Sequence, residues 1–123
     1  MTADRTAAAI TAGRAAVEVA LARVDAGGEA DPDELRAAVR VGLRGLAAKA
    51  PGRSVEVRVP PWGAVQCVPG PTHTRGTPRA VVETDPWTWV LLAAGRLAFA
   101  DAVADGRVQA SGERSELGGL LPL

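Results

Sequence analysis

Few side chains in this sequence could do chemistry, and the most suggestive of them fall between Cys67 and Asp85. Cys67 and His73 are the only cysteine and the only histidine, and with Glu83 or Asp85 they could present sulfur, nitrogen and oxygen to a metal ion. Structural zinc takes four ligands, commonly in closely spaced cysteine and histidine pairs, and one residue of each kind cannot make those pairs. No metal and no cofactor are therefore expected. A Cys67–His73 nucleophile pair is formally available, but nothing nearby marks an oxyanion hole or a third group to orient the histidine. Cys67 lies in a run with strand character and reads as a small buried hydrophobe. No catalytic residue is assigned, and the chain is not expected to be an enzyme.

Binding chemistry has better candidates. In the segment "GPTHTRGTP", His73 and Arg75 could clamp a carboxylate or phosphate headgroup, since a guanidinium is a permanent, fork-shaped donor. The alternative is a turn in which Thr72, Thr74 and Thr77 bond local backbone and His73 caps a hydrogen bond. Trp62, Trp87, Trp89 and Phe99 are the only large rings in an alanine-rich chain. Such rings bury roughly 150–250 Å² each, so they are expected to anchor the core. Trp87 and Trp89 stand two apart and cannot share one helical face. One is expected to point into the core, the other elsewhere, toward a ligand cavity or an interface.

The elements that must position these residues follow from apolar spacing. Ile10, Val17, Leu21 and Val24 recur at helical intervals, and Gly27-Gly28 stops that helix. Asp31-Pro32 opens a second helix as N-cap and first-turn proline, with Leu35, Val39, Leu43 and Leu46 on one stripe and Pro51-Gly52 behind it. The period then changes to two. "SVEVRV" alternates valine with charge, "GAVQCV" follows after a hairpin-length link, and "RAVVET" is a further strand, with a short one expected before it near Thr72–Thr74. Asp85-Pro86 opens a helix carrying Trp87, Val90, Leu91 and Ala94, and Gly95 stops it. A short helix over about Ala98–Asp105 ends at Gly106, "RVQAS" is a last strand, and "ERSELGGLLPL" offers a final helical turn or two.

Bulk properties narrow the function. A chain of 123 residues is one domain, 1–123, with a helical part (1–52) and a part holding the sheet and later helices (53–123). Basic and acidic residues balance at 14 each, which gives no field for nucleic acid. A single cysteine excludes an internal disulfide and suits a reducing, cytoplasmic setting. The alanine-rich N-terminus carries Arg14, Glu18, Arg23 and Asp25 within its apolar stretch, unlike an export signal, and no run is long enough to span a membrane. The alanines of the first two helices suit helix propensity, or close helix–helix contact within the chain or across a dimer.

Gly95-Arg96-Leu97 returns as Gly106-Arg107-Val108, with Ala102 between and Ala110 and Gly112 beyond. A phosphate loop would need glycines between a strand and a following helix. The order here is helix, glycine, helix, glycine, strand, so the glycines read as helix stops. The pattern Gly-[Lys/Arg]-Leu, Ala, Gly-[Lys/Arg]-aliphatic-x-aliphatic-x-Gly resembles the C-terminal half of the sterol carrier protein 2 family. Residues 53–121 are more narrowly similar to the bacterial sterol-carrier orthologues of actinomycetes.

That resemblance implies an α/β fold of the α+β kind, with an about five-stranded, largely antiparallel sheet and helices packed on one face. Two N-terminal helices precede it here. It also implies a hydrophobic cavity between sheet and helices for lipid binding and transport: fatty acyl, phospholipid or sterol-like ligands. The expected liners are Trp87, Val90, Leu91, Phe99, Val103, Leu117 and Leu120, with His73 and Arg75 at the mouth. The rival expectation is an interaction module with a filled core, acting through a homodimer or an enzyme partner. Sterol-carrier-like domains also occur as accessory parts of larger enzymes, the mycothiol-dependent isomerases among them.

Overall fold

Two long helices open the chain where the apolar spacing places them: α1 (Thr2–Asp25) and α2 (Pro32–Lys49). The computed structural model describes residues 2–70, 80–112 and 115–123. Asp31 caps α2, its Oδ2 accepting the Glu34 N–H at 3.0 Å, and this satisfies one of the orphan donors of the first turn. The two helices cross very closely. A Cβ on Gly13 would lie 3.2 Å from the Gly42 Cα, and one on Gly45 would lie 3.1 Å from the Ala9 carbonyl oxygen. Glycine is thus required at these two points of the crossing, and the first two helices make close contact within the chain.

The sheet has β1 (Val55–Val59), β2 (Gly63–Cys67), β3 (Ala80–Thr84) and β4 (Val108–Ser111), in the order β2-β1-β3-β4. A three-residue turn, Pro60-Pro61-Trp62, joins β1 and β2 as an antiparallel hairpin with Val57 opposite Val65. The Pro60–Pro61 peptide is cis. Because β2 takes one edge of β1, β3 pairs at the other, and it runs parallel, with Val57 opposite Val82. β4 closes the far side antiparallel to β3. The expected five-stranded, largely antiparallel sheet is corrected to this extent: the described residues form four strands in a mixed open sheet whose central pair is parallel. The strand expected near Thr72–Thr74 lies outside the described residues.

Period-two alternation does in the sheet what the sequence pattern requires. Val55, Val57, Val59, Cys67 and Val82 turn inward and are at most 2 % exposed, whereas Arg58, Ala64, Gln109 and Ser111 face solvent. The inner face packs with α1, α2 and α3 (Pro86–Ala93) in one apolar cluster that also takes in Phe99, Ala102 and Leu117. α4 (Phe99–Ala104) follows α3 after a short turn. Both repeated glycines are helix stops, as expected. Gly95 (φ 79°) and Gly106 (φ 77°) are left-handed, and each closes a paired N–H pattern onto the preceding helix: Gly95 to Leu92 and Arg96 to Leu91, Gly106 to Val103 and Arg107 to Ala102.

The last described segment, 115–123, is a strap laid over the end of α3. One turn is closed by the Leu120 and Leu121 N–H groups on the Leu117 carbonyl, and the Leu123 N–H bonds the Ala93 carbonyl at 3.0 Å. Lys49 Nζ donates to the carbonyls of Leu120 (2.8 Å) and Pro122 (3.0 Å), and Arg14 Nε to that of Leu123 (2.8 Å).

Candidate functional site

The tryptophans divide as their spacing demands. Trp89 is 1 % exposed and its indole Nε1 donates to the Ala38 carbonyl at 3.0 Å. It fits because Gly42 has no side chain: a Cβ there would stand 2.9 Å from Nε1. Trp87 is half-buried at the edge of the core. Trp62 is also half-buried, with the Arg36 guanidinium 5.9 Å above its ring and Arg40 Nε on its carbonyl at 3.2 Å. Cys67 is wholly buried, and that burial pushes its thiol up to about 11. A thiol so disposed is a poor nucleophile at neutral pH. His73 and Arg75, the expected mouth, lie outside the described residues.

The expected liners differ in exposure. Val90 and Leu117 are closed in the core, Phe99 is buried near its edge, Trp87, Leu91 and Leu120 are half-buried, and Val103 is 39 % exposed. Phe99 alone among them lines a groove of about 360 Å³ between the α3–α4 turn and the strap. Its other walls are Gly95, Leu97, Ala98 and Ala100 on one side and Glu116, Gly118, Leu121 and Pro122 on the other. The apolar contribution comes from Leu97, Phe99, Leu121 and Pro122, and small residues keep the space between them open. A Cβ on Gly95 would stand 3.2 Å from the Pro122 Cγ, so the glycine that stops α3 also sets the width of the groove. Leu97 was visible as the third residue of the Gly-Arg-Leu motif. The strap residues carried no comparable signal, because their place depends on contacts with α2 and α3.

Among the described residues Glu116 is the groove's only ionisable lining side chain, and its Oε1 accepts the Gly118 N–H. Arg96 stands between two lining residues, yet its guanidinium holds the Asp25 carboxylate through two bonds, at 2.9 and 2.6 Å. The bond to Arg96 holds the Asp25 carboxyl below the usual carboxylate range.

Two further depressions open on the rims of the sheet. One, of about 400 Å³, is walled by Arg58, Trp62, Ala64 and the two prolines of the hairpin turn. The other, of about 310 Å³, lies at the ends of β1 and β3 among Pro60, Glu83, Asp85, Arg107 and Gln109. Asp85, Arg107 and Thr84 among its polar groups are engaged in side-chain hydrogen bonds. Asp85 accepts both the N–H and the hydroxyl of Thr88, Arg107 Nε donates to the Thr88 hydroxyl at 3.2 Å, and Thr84 Oγ1 donates to the Arg107 carbonyl at 2.7 Å. These bonds cap α3 and tie it to β4, a structural use.

Among the described residues, no helix is long and apolar enough to cross a membrane. A comparison with curated proteins gave no significant match. The sequence profile of the family described as bacterial SCP ortholog matches residues 31–123, from the N-cap of α2 through β1–β4 to the strap. The chain belongs to this family of bacterial sterol-carrier-like proteins.

Proposed function

We propose that the protein is a non-catalytic carrier that binds an apolar or amphipathic small molecule, of fatty acyl, phospholipid or sterol-like character. The observation that carries this reading is the groove between the α3–α4 turn and the strap, walled by Leu97, Phe99, Leu121 and Pro122 in a chain of the sterol-carrier type. Its volume of about 360 Å³ suits a small ligand, since such pockets run from roughly 300 to 1,000 Å³. Affinity would come from removing apolar surface from water, at about 25 cal/mol per Å². Leu91 and Leu120, half-buried, would extend the apolar surface if the strap shifts, and Trp87, half-buried near the start of α3, is proposed with them. Val90, Val103 and Leu117 complete the proposed liner set, and His73 and Arg75 are proposed at the mouth.

The interaction-module reading would draw on an exposed tryptophan in an apolar patch. Trp89 is buried and Trp62 is half-buried beneath Arg36, so neither tryptophan supplies one. The test is a titration with long-chain acyl probes, one neutral and one acidic, each bearing a fluorophore that accepts tryptophan emission. Saturable energy transfer that unlabelled lipid abolishes is expected for at least one probe. Absence of transfer from both, up to their solubility limits, would refute the carrier and redirect the search to protein partners.

A further inference from the structure

Arginine recurs along the solvent face of α2 at Arg36, Arg40 and Arg44, and all three are exposed. On a helix that repeat sets successive side chains about 6 Å apart along one line. Among the described residues none of the three forms an ion pair. Two are held in place by Trp62. The Arg36 guanidinium lies 5.9 Å above the indole, and Arg40 Nε donates to the Trp62 carbonyl at 3.2 Å, a bond that leaves the two terminal nitrogens out. Nearby acids are engaged elsewhere: Glu34 pairs with Arg23 and Glu56 with Arg58. Asp33, exposed in the first turn, stands at one end of the row. Ala37, Val41 and Ala48 are half-buried and fall on a neighbouring strip of the same helix. Side chains this short let a second helix come close. The chain leaves the described residues next to Gly70, Ala80 and Gly112, all at the end of the sheet where β1 begins, whereas Trp62 lies where β1 ends.

We infer that this face of α2 docks an acidic, amphipathic helix of a partner protein. Carboxylates at the same helical repeat meet Arg36, Arg40 and Arg44, and the partner's small apolar flank lies on Ala37, Val41 and Ala48. A guanidinium fork takes a carboxylate through two bonds, which favours this pairing over a loose cloud of charge. The shape of the surface selects a helix. A bilayer is entered by large apolar side chains, and this strip offers two alanines and a valine, with Trp62 half-buried beneath Arg36. Nucleic acid is drawn by an excess of positive charge, and this chain balances 14 basic with 14 acidic residues. Asp33 repels carboxylates at the start of α2, so the partner's acidic run ends short of it. Each exposed pair is weak alone, and the three act together. The surface is separate from the groove at the strap and stands whether or not that groove carries a lipid.

The experiment is an amide-resolved NMR titration of the full chain with a synthetic helix bearing glutamate at i, i+4 and i+8 beside alanine and leucine. Saturable shifts at the amides of Ala37, Arg40, Val41 and Arg44 are expected, and added salt should weaken them. A scrambled peptide of the same composition should bind about fivefold more weakly, and a lysine counterpart more weakly still. Arg44→Gln should lower the affinity about threefold and the triple variant Arg36→Gln, Arg40→Gln, Arg44→Gln about twentyfold, with the unfolding midpoint in place. The double variant Arg40→Glu, Arg44→Glu should turn the preference toward the lysine helix, an outcome that misfolding would not produce. Vesicles of phosphatidylglycerol with phosphatidylcholine, and a single-stranded oligonucleotide, serve as competing anions. Tighter binding of α2 to either one, equal binding of the scrambled peptide, or an affinity that survives the triple variant overturns the assignment. The acyl-probe titration of the groove reads separately, and Arg44→Gln should leave it unchanged.

Discussion

The two ends of α3 sit in opposite kinds of surroundings. At its start, Asp85 and Thr88 are joined to Arg107 by side-chain hydrogen bonds, and Trp89 fills a notch in α2 made by Gly42. At its end, Gly95 faces the groove, and what crosses it is a strap whose backbone carbonyls accept from Lys49 and Arg14 and whose Leu123 N–H donates to the Ala93 carbonyl. The first end is closed by interdigitated side chains, the second by a segment that seats Leu117 and Leu123 in the core and is otherwise held through backbone hydrogen bonds. Close-packed interiors resist deformation, and segments held by exposed backbone bonds open at lower cost. A binding site is therefore expected at the second end, and stability should reside at the first.

The largest effect should come from the closed end. Trp89→Ala removes the largest fully buried side chain and its bond to the Ala38 carbonyl. Large-to-small changes of this kind cost about 3–5 kcal/mol, a large share of the roughly 5–15 kcal/mol that holds a domain together. Urea denaturation should show a midpoint lowered accordingly, and a loss below about 1 kcal/mol would mean that the notch is not a stability anchor. Gly42→Ala sharpens the point. Its Cβ would stand 2.9 Å from the indole Nε1, and overpacking of that kind costs about 1–3 kcal/mol.

Gly95→Ala and Gly106→Ala form a matched pair for the open end. Both glycines are left-handed, at φ 79° and 77°, so both alanines carry the same backbone penalty, of about 1–3 kcal/mol. Around Gly106 a Cβ would meet nothing within 4 Å, whereas at Gly95 it would meet the Pro122 Cγ at 3.2 Å. Comparable losses of stability are expected by thermal denaturation, while only Gly95→Ala should weaken probe binding. If both variants bind alike, the ligand does not sit against Gly95.

Much of this arrangement could be read before the coordinates. The Asp31-Pro32 and Asp85-Pro86 starts, the glycine stops and the alternating valines are local signals, because capping, left-handed backbone and period-two burial depend on neighbours in sequence. The parallel pairing of β1 with β3 was not legible, since pairing across intervening strands has no local signature. The notch at Gly42 was hidden for the same reason: a glycine within a helix gives no indication that an indole from α3 will fill its place. The strap looked like a final helical turn. One turn is there, but its course is set by Lys49, Arg14 and Ala93, far away in the chain. Hence the liner set was drawn from helix stripes, and only Phe99 among them lines the groove.

The smallest predicted effect separates the two ends by pH. Burial raises the Asp85 pKa, but the bonds from the Thr88 hydroxyl and N–H and the charge of Arg107 outweigh it and hold the carboxyl below its ordinary value. A carboxyl depressed in the folded state contributes stability that is present above its unfolded pKa and is lost as pH falls through its folded pKa. Asp85→Ala should therefore cost about 1 kcal/mol near neutral pH, the usual value of an N-cap. That cost should shrink as the pH is lowered into the acid range, because the wild type then loses the same interaction. Asp85→Asn keeps a capping oxygen and lacks the titration, so its stability relative to wild type should improve at acid pH. Denaturation midpoints for the three proteins across that range decide it, and a gap between wild type and Asp85→Ala that stays constant with pH would show that the cap acts through geometry alone. Groove binding of the neutral acyl probe by Asp85→Ala at neutral pH should match wild type, because the cap and the groove stand at opposite ends of the helix.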